Sequence, residues 1–150
     1  MKPVQVSRLI SAPLNQVFQT IADVRNFKVA VPHITDVQFL TDQQFGKGTR
    51  FVETREMKGR VEKVELEVTE YQENACVRLV SDAGGTIWET EFVVSQMPGG
   101  VELKMRMDIL PHTLLAKVIT PFIRGIVAKG VESDMDAVKT YCESESRRAV

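Results

Sequence analysis

One predicted strand of this sequence carries the side chains most able to take part in chemistry. Phe51, Glu53, Arg55 and Met57 stand at alternate positions, so they share one face if the segment is extended. A carboxylate and a guanidinium on an inner face would hold the polar end of a ligand or pair with each other. The opposite register exposes both charges, and we favour that exposed register.

Histidine is the side chain best suited to proton transfer near neutral pH, and the chain has two, His33 and His112. Each follows a proline at the predicted end of an element, and neither has a serine or cysteine partner at a fixed spacing. We expect His112 to be a surface residue at the start of the last helix rather than a general base. HExxH, CxxC, P-loop and GxGxxG patterns are absent, so the sequence predicts no metal and no cofactor.

A soft apolar wall is predicted on the strands that follow. The segment 101–109 alternates strictly between apolar and charged residues, which places Met105 and Met107 on one face. Methionine adapts to the shape of a ligand, although a methionine pair in a strand is also ordinary core filling. The candidates for the wall are Met57, Trp88, Met105, Met107, Phe122 and Ile126.

The elements that position these side chains can be predicted from periodicity and turn residues. A strand at 4–10, a helix ending near Asp23 and a second short helix ending before Pro32 come first. Strands separated by short glycine-rich turns follow, and such turns favour an antiparallel meander in chain order. The predicted strands span 35–41, 48–57, 60–71, 75–82, 86–96 and 101–109.

The last predicted element is a long helix from about His112 to Glu143. Pro121, Gly125 and Gly130 lie inside it, where proline costs about 3 kcal/mol and glycine about 1 kcal/mol relative to alanine. Tertiary packing must offset these costs, or two shorter helices meet beside Pro121. The side chains predicted to be buried are Leu115, Val118, Ile119, Phe122, Ile126, Met135, Val138 and Tyr141.

The composition is that of an ordinary soluble protein and predicts a single domain over 1–150. Apolar residues make up 43% and charged residues 26% of the 150 residues, and 19 basic side chains nearly cancel 20 acidic ones. This balance predicts no nucleic-acid partner and no stable membrane insertion. The N-terminus lacks the apolar segment of a signal peptide, which favours the cytoplasm. Cys76 and Cys142 are expected to be free thiols.

The order of elements, β-α-α-β6-α, and several local segments resemble the START-like or SRPBCC superfamily, in particular its polyketide cyclase/dehydrase-like branch. The segments that carry the resemblance are 11–27 (SAPLNQVFQTIADVRNF), 46–51, 68–71, 84–88 and the terminal helix. The resemblance implies an α+β, Bet v 1-like helix-grip fold. In that fold a curved antiparallel sheet wraps around the long C-terminal helix and leaves a cavity between them.

The resemblance also implies a function, which is the binding of a small hydrophobic molecule, lipid-like or polycyclic, in that cavity. An alternative is a polyketide cyclase or aromatase-like enzyme, for which Glu53, Arg55 and His112 are the acid and base candidates. A third is a domain that serves a protein partner or carries a cofactor through an exposed patch on the second helix. That patch would consist of Phe27, Val29 and Val31. Neither the ligand nor the oligomeric state can be predicted.

Overall fold

The computed structural model describes residues 1–149. The predicted order of elements is confirmed, although the last helix ends at Arg148 rather than Glu143. The elements are β1 (Val4–Ile10), α1 (Leu14–Ala22), α2 (Val24–Ala30), β2 (Ile34–Phe39), β3 (Arg50–Met57), β4 (Arg60–Gln72), β5 (Cys76–Ala83), β6 (Thr86–Met97), β7 (Gly100–Pro111) and α3 (Leu114–Arg148).

The strands form one antiparallel sheet in the order β1-β7-β6-β5-β4-β3-β2. Strands β2 to β7 are neighbours in chain order, as the short turns predict, and β1 joins the sheet beside β7. The sheet curves around α3, so the predicted helix-grip α+β fold is confirmed. Its concave face therefore looks towards the helices, and this face is where a ligand site has to be sought.

Two short helices connect β1 to β2. α1 begins after Pro13, which occupies the N-cap position and offers no side-chain cap. α2 is capped by Asp23, whose carboxylate accepts hydrogen bonds from the Arg25 backbone N–H at 3.0 Å and from the Arg25 guanidinium at 2.6 Å. This cap lets α2 begin directly after α1 ends.

The core lies between the concave face of the sheet, α1 and the second half of α3. Ile10 of β1 and both Val17 and Phe18 of α1 are fully buried there. The ring of Phe18 packs edge-on against Tyr71 of β4, with 5.3 Å between the ring centroids. From α3 the core receives Val131, Met135, Val138 and Cys142. Cys76 and Cys142 are both free thiols, as predicted.

The two halves of α3 differ in which side chains they bury. In the second half Met135 and Val138 are buried as predicted, whereas Tyr141 is half-buried. In the first half the buried residues are the small Ala116 and Thr120. The prediction that the large apolar residues of this half are buried is wrong, because they point away from the sheet. The exposed residues are Leu115, Val118, Ile119, Phe122 and Ile126.

Pro121 does not divide the helix. α3 is continuous from Leu114 to Arg148, so the alternative of two shorter helices is wrong. A Cβ added at Gly125 or Gly130 would meet no neighbouring atom within 4 Å, so close packing does not require glycine at either position. Packing of the second half must therefore offset the propensity costs. No helix in the described part of the chain is long and apolar enough to cross a membrane.

The start of α3 is fastened to the turn between β5 and β6. The backbone N–H groups of His112 and Thr113 donate to the Gly85 carbonyl at 2.8 and 3.3 Å. The Thr113 hydroxyl caps the helix by accepting from the Ala116 N–H at 3.1 Å. Gly85 has a φ of +77°, and a Cβ there would lie 2.4 Å from the Thr113 hydroxyl. Glycine is thus required where the turn meets the helix.

The second half of α3 is fastened to the end of β1. The Lys139 ammonium donates to the Leu9 carbonyl at 2.6 Å and to the Glu143 carboxylate at 2.8 Å. The same carboxylate accepts from the Ser11 N–H at 2.9 Å. These bonds join the two ends of the chain.

Replacing Glu143 with glutamine should lower the free energy of unfolding by less than about 1 kcal/mol at neutral pH. The hydrogen bond from Lys139, and then that from Ser11, hold the pKa of Glu143 below its ordinary value. A lowered folded-state pKa adds stability above the ordinary carboxyl pKa, and that stability is lost as the pH falls through the folded-state value. Urea unfolding should show a deficit at about pH 7 that shrinks near pH 3. An equal deficit at both pH values would contradict this assignment.

Candidate functional site

The register of β3 decides the position of its charged pair. Phe51 lies opposite Leu66, and Glu53 lies opposite Val64 of β4. Phe51 is buried and Glu53 is 8% exposed, so the face that carries Phe51, Glu53 and Arg55 is the concave one. The favoured prediction that Glu53 and Arg55 are exposed is therefore wrong, and the alternative register is the observed one.

Arg55 forms the centre of a charged cluster between β3 and α3. Its Nε donates to Glu53 at 2.6 Å. Its two terminal nitrogens contact the Asp134 carboxylate of α3 at 3.0 and 2.9 Å. Burial lowers the pKa of Arg55, but the charges of Glu53 and Asp134 outweigh that effect and raise it above its ordinary value. The guanidinium is thus charged at every accessible pH.

This cluster ties α3 to β3 rather than offering a free charge to a ligand. All three guanidinium nitrogens of Arg55 already contact carboxylate oxygens, and the Asp134 contact is bidentate. Such a fork is among the strongest arrangements for an arginine. The three side chains carry one positive and two negative charges, so any ligand beside them would meet a region that disfavours anions.

The concave face of the sheet is not packed evenly. Six residues on strands β4 to β7 form what we call the concave strip. Because Leu79 pairs with Thr90 and Thr90 with Met107, these three lie in one row across the sheet, and Ser81 and Trp88 lie in the next. Five of the six side chains are half-buried and Ser81 is buried. The concave strip consists of Leu66, Leu79, Ser81, Trp88, Thr90 and Met107.

Two polar groups mark the concave strip. The Trp88 indole N–H donates to the Ala83 carbonyl at 3.3 Å. The Ser81 hydroxyl is buried and has no hydrogen-bond partner within residues 1–149. A buried hydroxyl without a partner costs about 1–3 kcal/mol, so this atom is a natural contact for a polar atom of a ligand. Next to the strip, the hydroxyls of Thr86 and Thr120 lie 3.1 Å apart and hold α3 against β6.

The predicted wall residues do not all meet at this strip. Trp88 and Met107 belong to it, whereas Met105 is buried in the core, as is the other ligand candidate Phe51 of β3. Met57 lies at the exposed end of β3. Phe122 and Ile126 are exposed on the outer side of α3. The structure therefore brings together two of the predicted wall residues and separates the rest.

Two depressions of the surface lie away from the concave strip. One, of about 290 Å³, is on the outer face of the sheet and is lined by charged side chains, among them Arg78 and Glu91. Another, of about 400 Å³, lies between Pro32 and the second half of α3, where Tyr141 contributes to its lining. Neither is lined by the concave strip.

The remaining candidates are held away from the strip. The His112 imidazole is exposed, and its Nε2 lies 2.9 Å from an oxygen of Asp82. His112 is thus a surface residue and forms no hydrogen-bonded group with the Arg55 cluster. The predicted apolar patch on the second helix is wrong, because Phe27 and Val31 are buried and Val29 alone of the three is exposed.

Sequence reasoning did not select Leu79, Ser81 or Asp134 as site residues. The first two could have been found from the sequence. One face of the predicted strand carries Val77, Leu79, Ser81 and Ala83, so a hydroxyl lies on an otherwise apolar face. Asp134 had no such signal, because its pairing with Arg55 arises only when α3 is laid across the sheet. Its role is a product of the tertiary structure.

Comparison with known proteins places this architecture in a family. Residues 1–143 match the family model described as polyketide cyclase/dehydrase and lipid transport. The chain belongs to this family. The resemblance to the polyketide cyclase/dehydrase-like branch of the START-like superfamily is thereby confirmed. No curated protein sequence matches the chain.

Solved structures with the same fold agree with membership of the polyketide cyclase/dehydrase and lipid transport family. TTHA0849 from Thermus thermophilus is 17% identical, with a TM-score of 0.76 over 96% of this chain and 99% of its own. The di-domain ARO/CYC protein BexL, of the BE-7585A biosynthetic pathway, is 14% identical with a TM-score of 0.77, over 94% of this chain and 50% of its own. Ara h 8.0201 is 14% identical with a TM-score of 0.75, over 95% of this chain and 97% of its own. At these identities the likeness establishes the fold. Together the family and the fold support the binding of hydrophobic ligands.

Proposed function

We propose that this member of the polyketide cyclase/dehydrase and lipid transport family binds a small hydrophobic molecule, lipid-like or polycyclic, on the concave strip. The observation that carries the proposal is the incomplete burial of apolar side chains, among them Leu79, Trp88 and Met107, on the inner face of a curved sheet. Burying such apolar surface contributes about 25 cal/mol of favourable binding free energy for each Å² removed from water. A ligand lying there would supply the cover that α3 does not.

The first half of α3 explains why the strip stays uncovered. This half presents Ala116 and Thr120 to the sheet, and these short side chains cannot fill the concavity. In the second half the larger Met135 and Val138 are buried against the core instead. The small residues therefore support a ligand position beside Thr120, between the helix and strands β4 to β7.

The Ser81 hydroxyl indicates that the proposed ligand carries a polar atom. It is buried in an otherwise apolar row beside Trp88 and has no protein partner within residues 1–149. A hydroxyl, carbonyl or ether oxygen on the ligand would satisfy it. The ligand class is thus a mainly apolar molecule with a polar atom, held without a covalent bond.

A cyclase activity has weaker support. Proton transfer requires acid and base groups within hydrogen-bond reach of one substrate atom. His112 is paired with Asp82 at the surface, while Glu53 is occupied by Arg55. Binding needs no such convergence, and it is the function that we propose.

Replacing Thr90 with phenylalanine should weaken the binding of the uncharged dye Nile red by about tenfold. The added ring would occupy the strip between Leu79 and Met107, which flank Thr90 in the sheet. Fluorescence titration of the purified protein gives the dissociation constant, and native mass spectrometry detects any co-purified molecule that competes with the dye.

The matched control is Glu89→Phe, which adds the same ring at the neighbouring position on the outer face of β6. Its affinity for Nile red should equal that of the unmodified protein, and near-ultraviolet circular dichroism confirms that both variants are folded. If Thr90→Phe unfolds the protein, Thr90→Leu gives a smaller block and a smaller predicted loss. Equal affinities for all folded variants, or no binding by the unmodified protein, would reject the proposal.

A further inference from the structure

The first half of α3 carries an exposed apolar stripe that no part of the described chain covers. Leu115, Ile119, Phe122 and Ile126 follow a spacing of four, three and four residues, which aligns them on one face of the helix. Phe122 is 81% and Ile126 is 73% exposed. Leu114 and Val118 lie beside them and are also exposed. A contiguous patch of this kind on a protein surface marks an interaction site.

The charge of the same helical segment identifies what the stripe fits. Between His112 and Val131 the sequence has three basic residues, Lys117, Arg124 and Lys129, and no acidic residue. Lys129 extends the four-three-four spacing by three residues and so ends the stripe on the same face. Lys129 is exposed on this face, and Lys117 is exposed on the flank of the helix beside Leu114. Arg124 donates to the Lys2 and Pro3 carbonyls instead. Large apolar residues with lysines beside them are typical of helices that lie in the surface of an anionic bilayer.

A second exposed element lies at the same end of the sheet. Successive strands alternate in direction, so the β3–β4 turn, the β5–β6 turn and the start of α3 share that end. At the β3–β4 turn Met57 and Val61 are exposed, and Lys58 and Arg60 stand between them. The turn thus also exposes apolar and basic side chains, although Glu56 and Glu62 flank it.

We propose that the outer face of the first half of α3 docks on the surface of an anionic lipid bilayer. A second copy of the chain fits the face less well, because it would add the same basic side chains and the segment 113–130 has no acidic residue to pair with them. A bilayer supplies both the apolar layer and the negative charge. The proposal goes beyond ligand binding and does not depend on it.

The test is the flotation of the full chain with vesicles of phosphatidylcholine alone and with vesicles that contain about 30% phosphatidylglycerol. We expect binding to the anionic vesicles that weakens as salt is raised and little binding to the neutral ones. Phe122→Ser with Ile126→Ser should reduce binding by about tenfold or more. Lys117→Glu with Lys129→Glu should do the same on anionic vesicles.

The control variant is Leu9→Ser with Leu40→Ser, which removes two exposed leucines from other elements and should leave flotation unchanged. Thr90→Phe, which blocks the concave strip, should still float, so docking and ligand binding can fail separately. Melting curves confirm that each variant is folded. Failure of the unmodified protein to float, or equal flotation of the Phe122 and Ile126 variant, would overturn the proposal. A dimer that this variant abolishes, in a protein that does not float, would assign the face to self-association instead.

Discussion

Replacing Arg55 with methionine should lower the free energy of unfolding by about 3–5 kcal/mol, because the change leaves two carboxylates close together without their cation. Glu53 and Asp134 are both largely shielded from water, with side chains 10% and 18% exposed. The pKa of Arg55 is raised above an already high ordinary value, so the arginine stays charged and the loss should be the same at about pH 7 and about pH 9. Urea unfolding followed by circular dichroism gives the change in free energy.

Arg50→Met is the matched control for this prediction. Arg50 lies on the same strand and also pairs with a glutamate, Glu65, but these two side chains are 47% and 53% exposed. Its loss should cost less than about 1 kcal/mol. A further variant that combines Arg55→Met with Glu53→Gln and Asp134→Asn removes all three charges and should recover much of the stability. If Arg55→Met costs no more than Arg50→Met, the cluster is not the tie between β3 and α3 that its geometry indicates.

Met135→Ala should destabilise the protein by about 2–5 kcal/mol, because it removes a fully buried side chain and leaves a cavity in the core. Met135 is 1% exposed and lies among Val131, Val138 and Cys142 of the same helix. The measurement is again the free energy of unfolding in urea.

The comparison variant is Phe122→Ala in the first half of the same helix. Phe122 is 81% exposed, and alanine is the better helix former, so the change should stay within about 0.5 kcal/mol of zero. A large loss for Phe122→Ala would mean that this side chain is covered in solution by another copy of the chain. Similar values for Met135→Ala and Phe122→Ala would contradict the division of α3 into a packed half and an exposed half.

The sequence was sufficient to predict the order of elements because the local signals were strong and agreed with one another. The strict alternation at 101–109 and the glycine turns at 84–85 and 99–100 each indicate one structure. Strands that bury only one face are typical of an antiparallel sheet, and the buried face must then pack on the helices. The family resemblance rested on the same segments.

The register of β3 could not be predicted in the same way. Phe51 and Val52 offer an apolar residue to either face, and Glu53 and Thr54 offer a polar one. The alternation of apolar and polar residues therefore does not indicate which face of β3 is buried. The choice depends on Asp134, which lies 79 residues from Arg55 in the sequence and supplies the partner that makes an inward guanidinium tolerable.

The exposed half of α3 was mispredicted for a related reason. The apolar spacing of Leu115, Ile119, Phe122 and Ile126 is that of a buried helix face. Nothing local distinguishes a face that packs on its own sheet from one that is left for an external surface. The small residues Ala116 and Thr120 pack on the sheet instead, and only the tertiary structure reveals that choice.

The hydrogen bonds between β1 and the second half of α3 affect the order in which the parts of the protein can fold. Ser11 and Glu143 are 132 residues apart in the chain, and Leu9 and Lys139 are 130 apart. Contacts of such long sequence separation slow folding, since the chain must first close a large loop. During synthesis Ile10 and Val17 emerge early but have no Met135 or Val138 to bury them. A nascent chain can thus build its meander of hairpins, yet its core stays open to solvent until the last helix has left the ribosome.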